Sequence, residues 1–119
     1  MRTSDEEYFR TCVALERRLA HLLGHDNIEE LDDSAGVLWE GTQALPQWTR
    51  NWEACGPLLA RYRLAISHAA DPHAPHGVVI SVGTAAVRCS DHPSTDHALR
   101  HAIVKATIMR LEHEQHHKH

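Results

Sequence analysis

Phenylalanine occurs once and tyrosine twice in this 119-residue chain, so its interior must be filled mainly by Leu, Val, Ile and three tryptophans. No apolar run is long enough to cross a bilayer, and no basic segment leads into an apolar stretch near the start. Neither a membrane partner nor a secretory leader is therefore expected. Basic residues are outnumbered, 12 Lys and Arg against 16 Asp and Glu, for a net charge of -4 with neutral histidines. That balance disfavours a sequence-independent grip on nucleic-acid backbones. The cysteines, Cys12, Cys55 and Cys89, are odd in number and widely spaced, which suits a reducing cytoplasm better than a disulfide framework. Also missing are a Gly-x-Ser-x-Gly elbow, a His-Glu-x-x-His pair, a Walker loop and a dinucleotide glycine fingerprint. No catalytic residue and no cofactor is expected from any of these signatures.

What is present reads as one α+β domain over residues 1–110, of ordinary size for a single core. Residues 111–119 are rich in histidine and resemble an expression tag, so they are set aside from functional argument. Ser4-Asp-Glu-Glu7 has the form of a capping box. The apolar spacing of Tyr8, Cys12, Leu15, Leu19 and Leu22 behind it predicts an N-terminal helix that ends at Gly24. Asn27 to Asp33 suggests a short acidic helical turn, and Val37-Leu38-Trp39 a short strand. Glu29, Glu30, Asp32 and Asp33 lack the alternating oxygen ligands and turn glycine of a calcium loop, so they read as a solvated face.

A central helix is expected from Arg50, capped by Thr49 or Asn51, with Pro57 kinking it or starting a second segment. Leu64 to His68 alternates as a strand, and Val78 to Cys89 follows as a longer one in which Gly83 marks a bulge or bend. These strands form an antiparallel hairpin, extended by a third strand if the chain permits. The last helix is capped by Ser94 or Thr95 and packs on the sheet. It carries Leu99, Ala102, Ile103 and Ala106 on one side and Val104 and Ile108 on the other. A helix apolar on both sides is buried on both sides, either beneath the first helix of a monomer or in a homodimer.

The stretch from Trp48 to Ile66, with the last helix, resembles the NinX-like proteins of tailed phages and prophages, a family of unknown function. The matching residues are Trp48, Thr49, Trp52, Gly56, Pro57, Leu58, Leu59, Arg61 and Leu64, then Thr95, Ala98, Leu99, Arg100 and Ala102. The likeness runs from Pro46 to Ile108. Cys55 departs from an expected glycine, and the second strand lacks the family's aromatic. The resemblance implies a phage-encoded protein in the cytoplasm of a host bacterium, with a host or phage protein as its partner. It transfers no catalytic residues. Trp48 and Trp52 are expected to be structural, packed over the Gly56-Pro57 step.

Four constellations compete with that picture. Cys89, His92, His97 and His101 combine a turn with histidines four apart on a helix, which raises a zinc site or a small metal-dependent enzyme, although the spacing matches no common zinc module. His68, His73 and His76 gather around the hairpin loop and are expected to face solvent. Arg61, Arg63, Arg88, Arg100, Lys105 and Arg110 would make a nucleic-acid surface only if the hairpin and last helix shared a face. Cys55 beside Glu53 reads as a buried structural cysteine more readily than as a nucleophile.

Overall fold

A computed structural model describes residues 4–31 and 35–117, with side chains to residue 115. The first helix, α1 (Asp5–Leu22), starts as its sequence dictates: the Ser4 hydroxyl accepts the Glu7 N–H at 3.2 Å, beside three acidic residues at the positive end of the helix dipole. It closes in a Schellman arrangement, with the His25 N–H on the Ala20 carbonyl and the Gly24 N–H on that of His21. Its buried residues are Cys12, Val13, Glu16, Leu19 and Ala20. The apolar seam thus has a carboxylate at its centre.

The acidic connector is not helical. Ile28–Glu30 forms β1, which pairs antiparallel with β2 (Leu38–Glu40), and β3 (Gln43–Ala44) completes a small sheet in the order β1-β2-β3. Ile28 and Leu38 are buried in the core, a burial that a lone acidic turn could not provide. Arg10 holds both carboxylate oxygens of Glu30, at 2.8 and 2.7 Å, and Arg17 reaches the Ile28 carbonyl at 3.2 Å. Part of the acidic face is therefore ion-paired to α1 instead of solvated. Asp32 and Asp33 lie outside the described residues.

The central helix, α2 (Trp52–Tyr62), begins two residues later than Arg50, with Asn51 as its cap accepting the Glu53 N–H at 2.9 Å. Pro57 lies inside it with its ring exposed, so the helix forgoes one backbone bond but continues. Arg63 closes it in the left-handed region, at φ 51°.

The second sheet is an antiparallel meander of β4 (Ile66–Ala70), β5 (Val78–Val82) and β6 (Ala85–Arg88), in that order. The long strand expected over Val78 to Cys89 is two strands. Gly83 does not bulge the ladder but reverses it, with Val82 opposite Ala85 across a two-residue Gly83-Thr84 loop. The φ of Gly83 is 55°, as expected for the first loop position of a type II′ hairpin. A 3-10 turn (Cys89–Asp91) then leads into α3 (Thr95–His117).

The last helix is the hub of the molecule. It packs against β5 and β6 on one side, with α1 and α2 around the rest. Both of its apolar stripes are consumed there: Ala98, Ala102, Ile103, Val104, Ala106, Thr107 and Ile108 are all buried. The surface that suggested a homodimer through Val104 and Ile108 is covered within the chain. The helix runs through Leu111 into the histidine-rich tail, where Glu112 pairs with Arg18 of α1 at 2.7 Å. Among the described residues no helix is long and apolar enough to cross a membrane.

Candidate functional site

The turn from Trp48 to Arg50 carries the densest polar network. Glu16, 1 % exposed, projects from α1 and is met by four donors. The Thr49 N–H and hydroxyl donate to Oε2 at 3.1 and 2.5 Å, and Arg50 adds Nε to Oε2 at 3.2 Å and Nη2 to Oε1 at 2.5 Å. Arg50 continues to the Gly36 carbonyl at 3.0 Å, clasping the loop after β1. The buried Arg100 of α3 donates Nε to the Thr49 carbonyl at 3.1 Å and lays its guanidinium over the Trp52 ring at 5.2 Å. A buried ion pair whose donors and acceptors are satisfied this fully fixes geometry. It holds α1, α2 and α3 in register.

The residues carrying the family resemblance serve mostly this framework. Trp48, Thr49, Leu58 and Ala102 are buried, while Leu59, Leu64 and Leu99 pack half-buried on the core. Gly56 and Pro57 sit within α2, and Arg61 stacks over Tyr62 at 5.5 Å. Trp52 is different: it is 37 % exposed and rests under Arg100 at the start of α2, away from the deep core that takes Trp48.

The zinc constellation does not assemble. Among the described residues no group of three or more His, Cys, Asp or Glu side chains is arranged to hold a metal ion. His97 Nδ1 contacts the Ser94 hydroxyl at 2.7 Å at the helix start, and His92 Nδ1 meets the Tyr8 hydroxyl at 2.5 Å. Cys89 has its thiol pushed up by burial, away from the thiolate a metal needs. His92 and His101 do come together, their ring centroids 4.6 Å apart and edge-to-face, with the Tyr8 ring stacked on His101 at 6.0 Å. Sequence reading found both histidines but missed Tyr8, which comes from the other end of the chain.

This ring cluster forms one wall of a cleft of about 360 Å³, with Lys105, Arg88, Asp91 and Thr11 around it. Burial lowers the basicity of His92, and it drives His101 down to about 3, helped by His92 and Lys105 nearby. Both imidazoles are therefore neutral at physiological pH. His101, 8 % exposed, also leaves its Nδ1 without a hydrogen-bond partner.

The arginines thought of as a basic stripe are dispersed. Arg100 is buried, Arg88 donates Nε to Asp71 at 2.8 Å, and Arg110 is split between Glu114 and the Tyr62 carbonyl. Cys55 is fully buried, its thiol contacts the Arg100 carbonyl at 3.7 Å, and burial pushes it up to about 12. It stays a thiol and is no nucleophile. His68, in β4, and His73 and His76, in the loop after it, are all exposed.

A second surface lies at the other edge of the meander. All five residues of β4 are exposed, and β4 has a partner on one side only. The Gly83 N–H bonds the Ala65 carbonyl and the Asp71 N–H bonds that of Gly77. In an antiparallel ladder this alternation turns the N–H and C=O groups of Ile66, His68 and Ala70 away from β5, toward the open edge. The side chains of these three share the face of Ile80 and Val82, which α3 covers over β5 and β6. Where the chain enters β4, a groove of about 510 Å³ is floored by Leu64, Ala65, Ala106 and Met109, with Arg63 and Arg110 at its rim.

Comparison with family profiles, curated proteins and solved structures yields no match to this chain.

Proposed function

We propose that this protein is a phage- or prophage-encoded accessory protein, working in the cytoplasm of a host bacterium, that acts by binding a host or phage protein without catalysis. The binding mode is strand addition: an extended segment of the partner lies along β4 and places an apolar side chain in the groove beside it. The observation that supports this most is β4 itself. It is a five-residue edge strand, exposed throughout, without proline or fixed charge. Natural edge strands are usually blunted by lysine, proline, bulges or covering elements, because their free backbone groups recruit other strands. β4 has none of these guards, and strand addition gains affinity from main-chain bonds and specificity from alternate side chains. Ile66 and Met109, 38 % and 41 % exposed, supply the apolar contact. The phage origin rests on the sequence resemblance over residues 46–108.

Proline scanning of β4 tests this reading against short random peptides selected from a displayed library. His68→Pro removes an outward N–H and leaves the β4–β5 ladder intact, so the fold survives and peptide binding drops at least about tenfold. Ala69→Pro, which removes an inward N–H, destabilises the sheet and calibrates the difference. A library with no binders, or binders indifferent to His68→Pro, overturns the proposal.

A further inference from the structure

We infer that the cleft beside β6 is a binding site for a small oxyanion, the phosphate or carboxylate group of a low-molecular-weight ligand, held between Lys105, Arg88 and the Tyr8–His92–His101 rings. It lies at the opposite edge of the sheet from β4 and stands independently of strand addition. At about 360 Å³ the cleft has the size of a small-molecule site. Its walls are rich in donors. Lys105, half-buried, brings an ammonium group with three N–H bonds. Arg88 uses Nε on Asp71, and its terminal nitrogens are left for a second acceptor. The Asp71 side chain is itself 1 % exposed and also takes the His73 N–H at 2.8 Å, so it sits behind Arg88, out of the cleft. Asp91 is the one carboxylate among the lining residues. A metal cation would face Lys105 and Arg88, whereas an oxyanion is attracted to both.

The histidines add a second, independent indication. Buried polar atoms in folded proteins are nearly always hydrogen-bonded, yet Nδ1 of His101, a residue lining this cleft, has no partner. The groups facing the imidazoles are Tyr8 from α1, Asp91 from the turn, and His97 and Lys105 from α3. Only Asp91 among them favours a charged ring. An arriving oxyanion supplies the missing counter-charge, so its binding draws a proton onto the pair. No bond to the ligand is made or broken.

The test is a titration of the full chain with inorganic phosphate and, separately, acetate, followed by NMR at constant ionic strength with chloride as the control. The expected result is a saturable shift confined to Tyr8, Arg88, His92, His101 and Lys105, with both histidine titrations moving upward at saturation. Phosphate or acetate alone producing it assigns the source. Lys105→Met removes a charge-assisted contact and weakens binding by about tenfold or more. Arg88→Gln, which removes the second cation lining the cleft, is the second variant and weakens it similarly. A linear shift that chloride reproduces, or binding unchanged in both variants, overturns the inference.

Discussion

Replacing Arg50 by methionine isolates the cost of stranding a carboxylate inside this fold. The substitution keeps most of the apolar length of the side chain and removes two of the four donors that meet Glu16, both of them charged. Hydrogen bonds to charged groups contribute about 1.5–3 kcal/mol each, and removing one member of a buried ion pair typically costs about 3–5 kcal/mol. Glu16 is 1 % exposed and cannot recover the loss from water, so the upper part of that range applies. For a domain of this size the loss lowers Tm by roughly 10–25 °C. Chemical denaturation measures it directly, with the slope checked for two-state behaviour. The double variant Glu16→Gln with Arg50→Met is the decisive partner. Glutamine keeps an oxygen for the Thr49 N–H and hydroxyl but carries no charge. The double variant should therefore be more stable than Arg50→Met alone. An Arg50→Met protein within 1 kcal/mol of the parent (a threshold well below the expected range), or a double variant no better than the single, would refute the account of Glu16 as a buried, Arg50-dependent charge.

Two further outcomes follow from the structure. His101 is held neutral in the fold and titrates near 3, below its ordinary value of 6.5, so the unfolded chain binds more protons between those limits. Stability therefore falls as pH drops through that window, by about 2 kcal/mol from pH 6.5 to 5 on account of His101. The lowered basicity of His92 adds to the fall in the same direction. Urea unfolding across that interval should show a shallower slope for His101→Leu than for the parent, and equal slopes would contradict the burial argument. Gly36 lies at φ 79° with its α-carbon against the Phe9 ring, so an added methyl would collide with Phe9 and approach Val13 to 3.0 Å. Gly41, at φ 62°, has open space around it. Gly36→Ala should therefore cost about 2–3 kcal/mol and Gly41→Ala about 1 kcal/mol, the difference being overpacking. Matching thermal shifts for the two would rule out the Phe9 contact as a constraint.

The helical part of the fold was legible because its signals are local. Ser4, Asn51 and Ser94 mark three helix starts by short-range side-chain bonds, and the two-sided pattern of α3 requires cover on both sides, which α1 and the sheet supply. The connector was misread because Asn27 to Asp33 is polar enough for any exposed conformation. What decides it is the pairing of Ile28 and Glu30 with Glu40 and Leu38 across the gap. Gly83 was recognised as an irregularity, but a bend and a reversal look alike until the register is known. The buried role of Glu16 could not be inferred from α1, since a carboxylate on an apolar seam reads as an exception until Arg50, 34 positions later, is brought to it. The histidine spacing put His97 and His101 on one helical face, whereas the ring that meets His101 edge-to-face is His92, from the preceding turn. The spacing suggested a metal only because Tyr8, 84 positions from His92, was absent from the local pattern.

The hub position of α3 has a consequence for synthesis. The contacts that α1 makes with the turn before it and with the helix itself, Tyr8 to His92 and Arg18 to Glu112, close chain separations of 84 and 94 residues. Until α3 has been made, the stripe of Val13, Leu19 and Ala20 lacks its main cover. At ordinary translation speeds that interval lasts roughly 5–20 seconds. Such long closures slow folding, because the entropy of joining the ends is spent before the contacts compensate for it. The nascent N-terminal helix is therefore the segment of this protein most exposed to chaperones and to mispairing. Substitutions in the last helix should lower soluble yield before they alter any property of the finished fold.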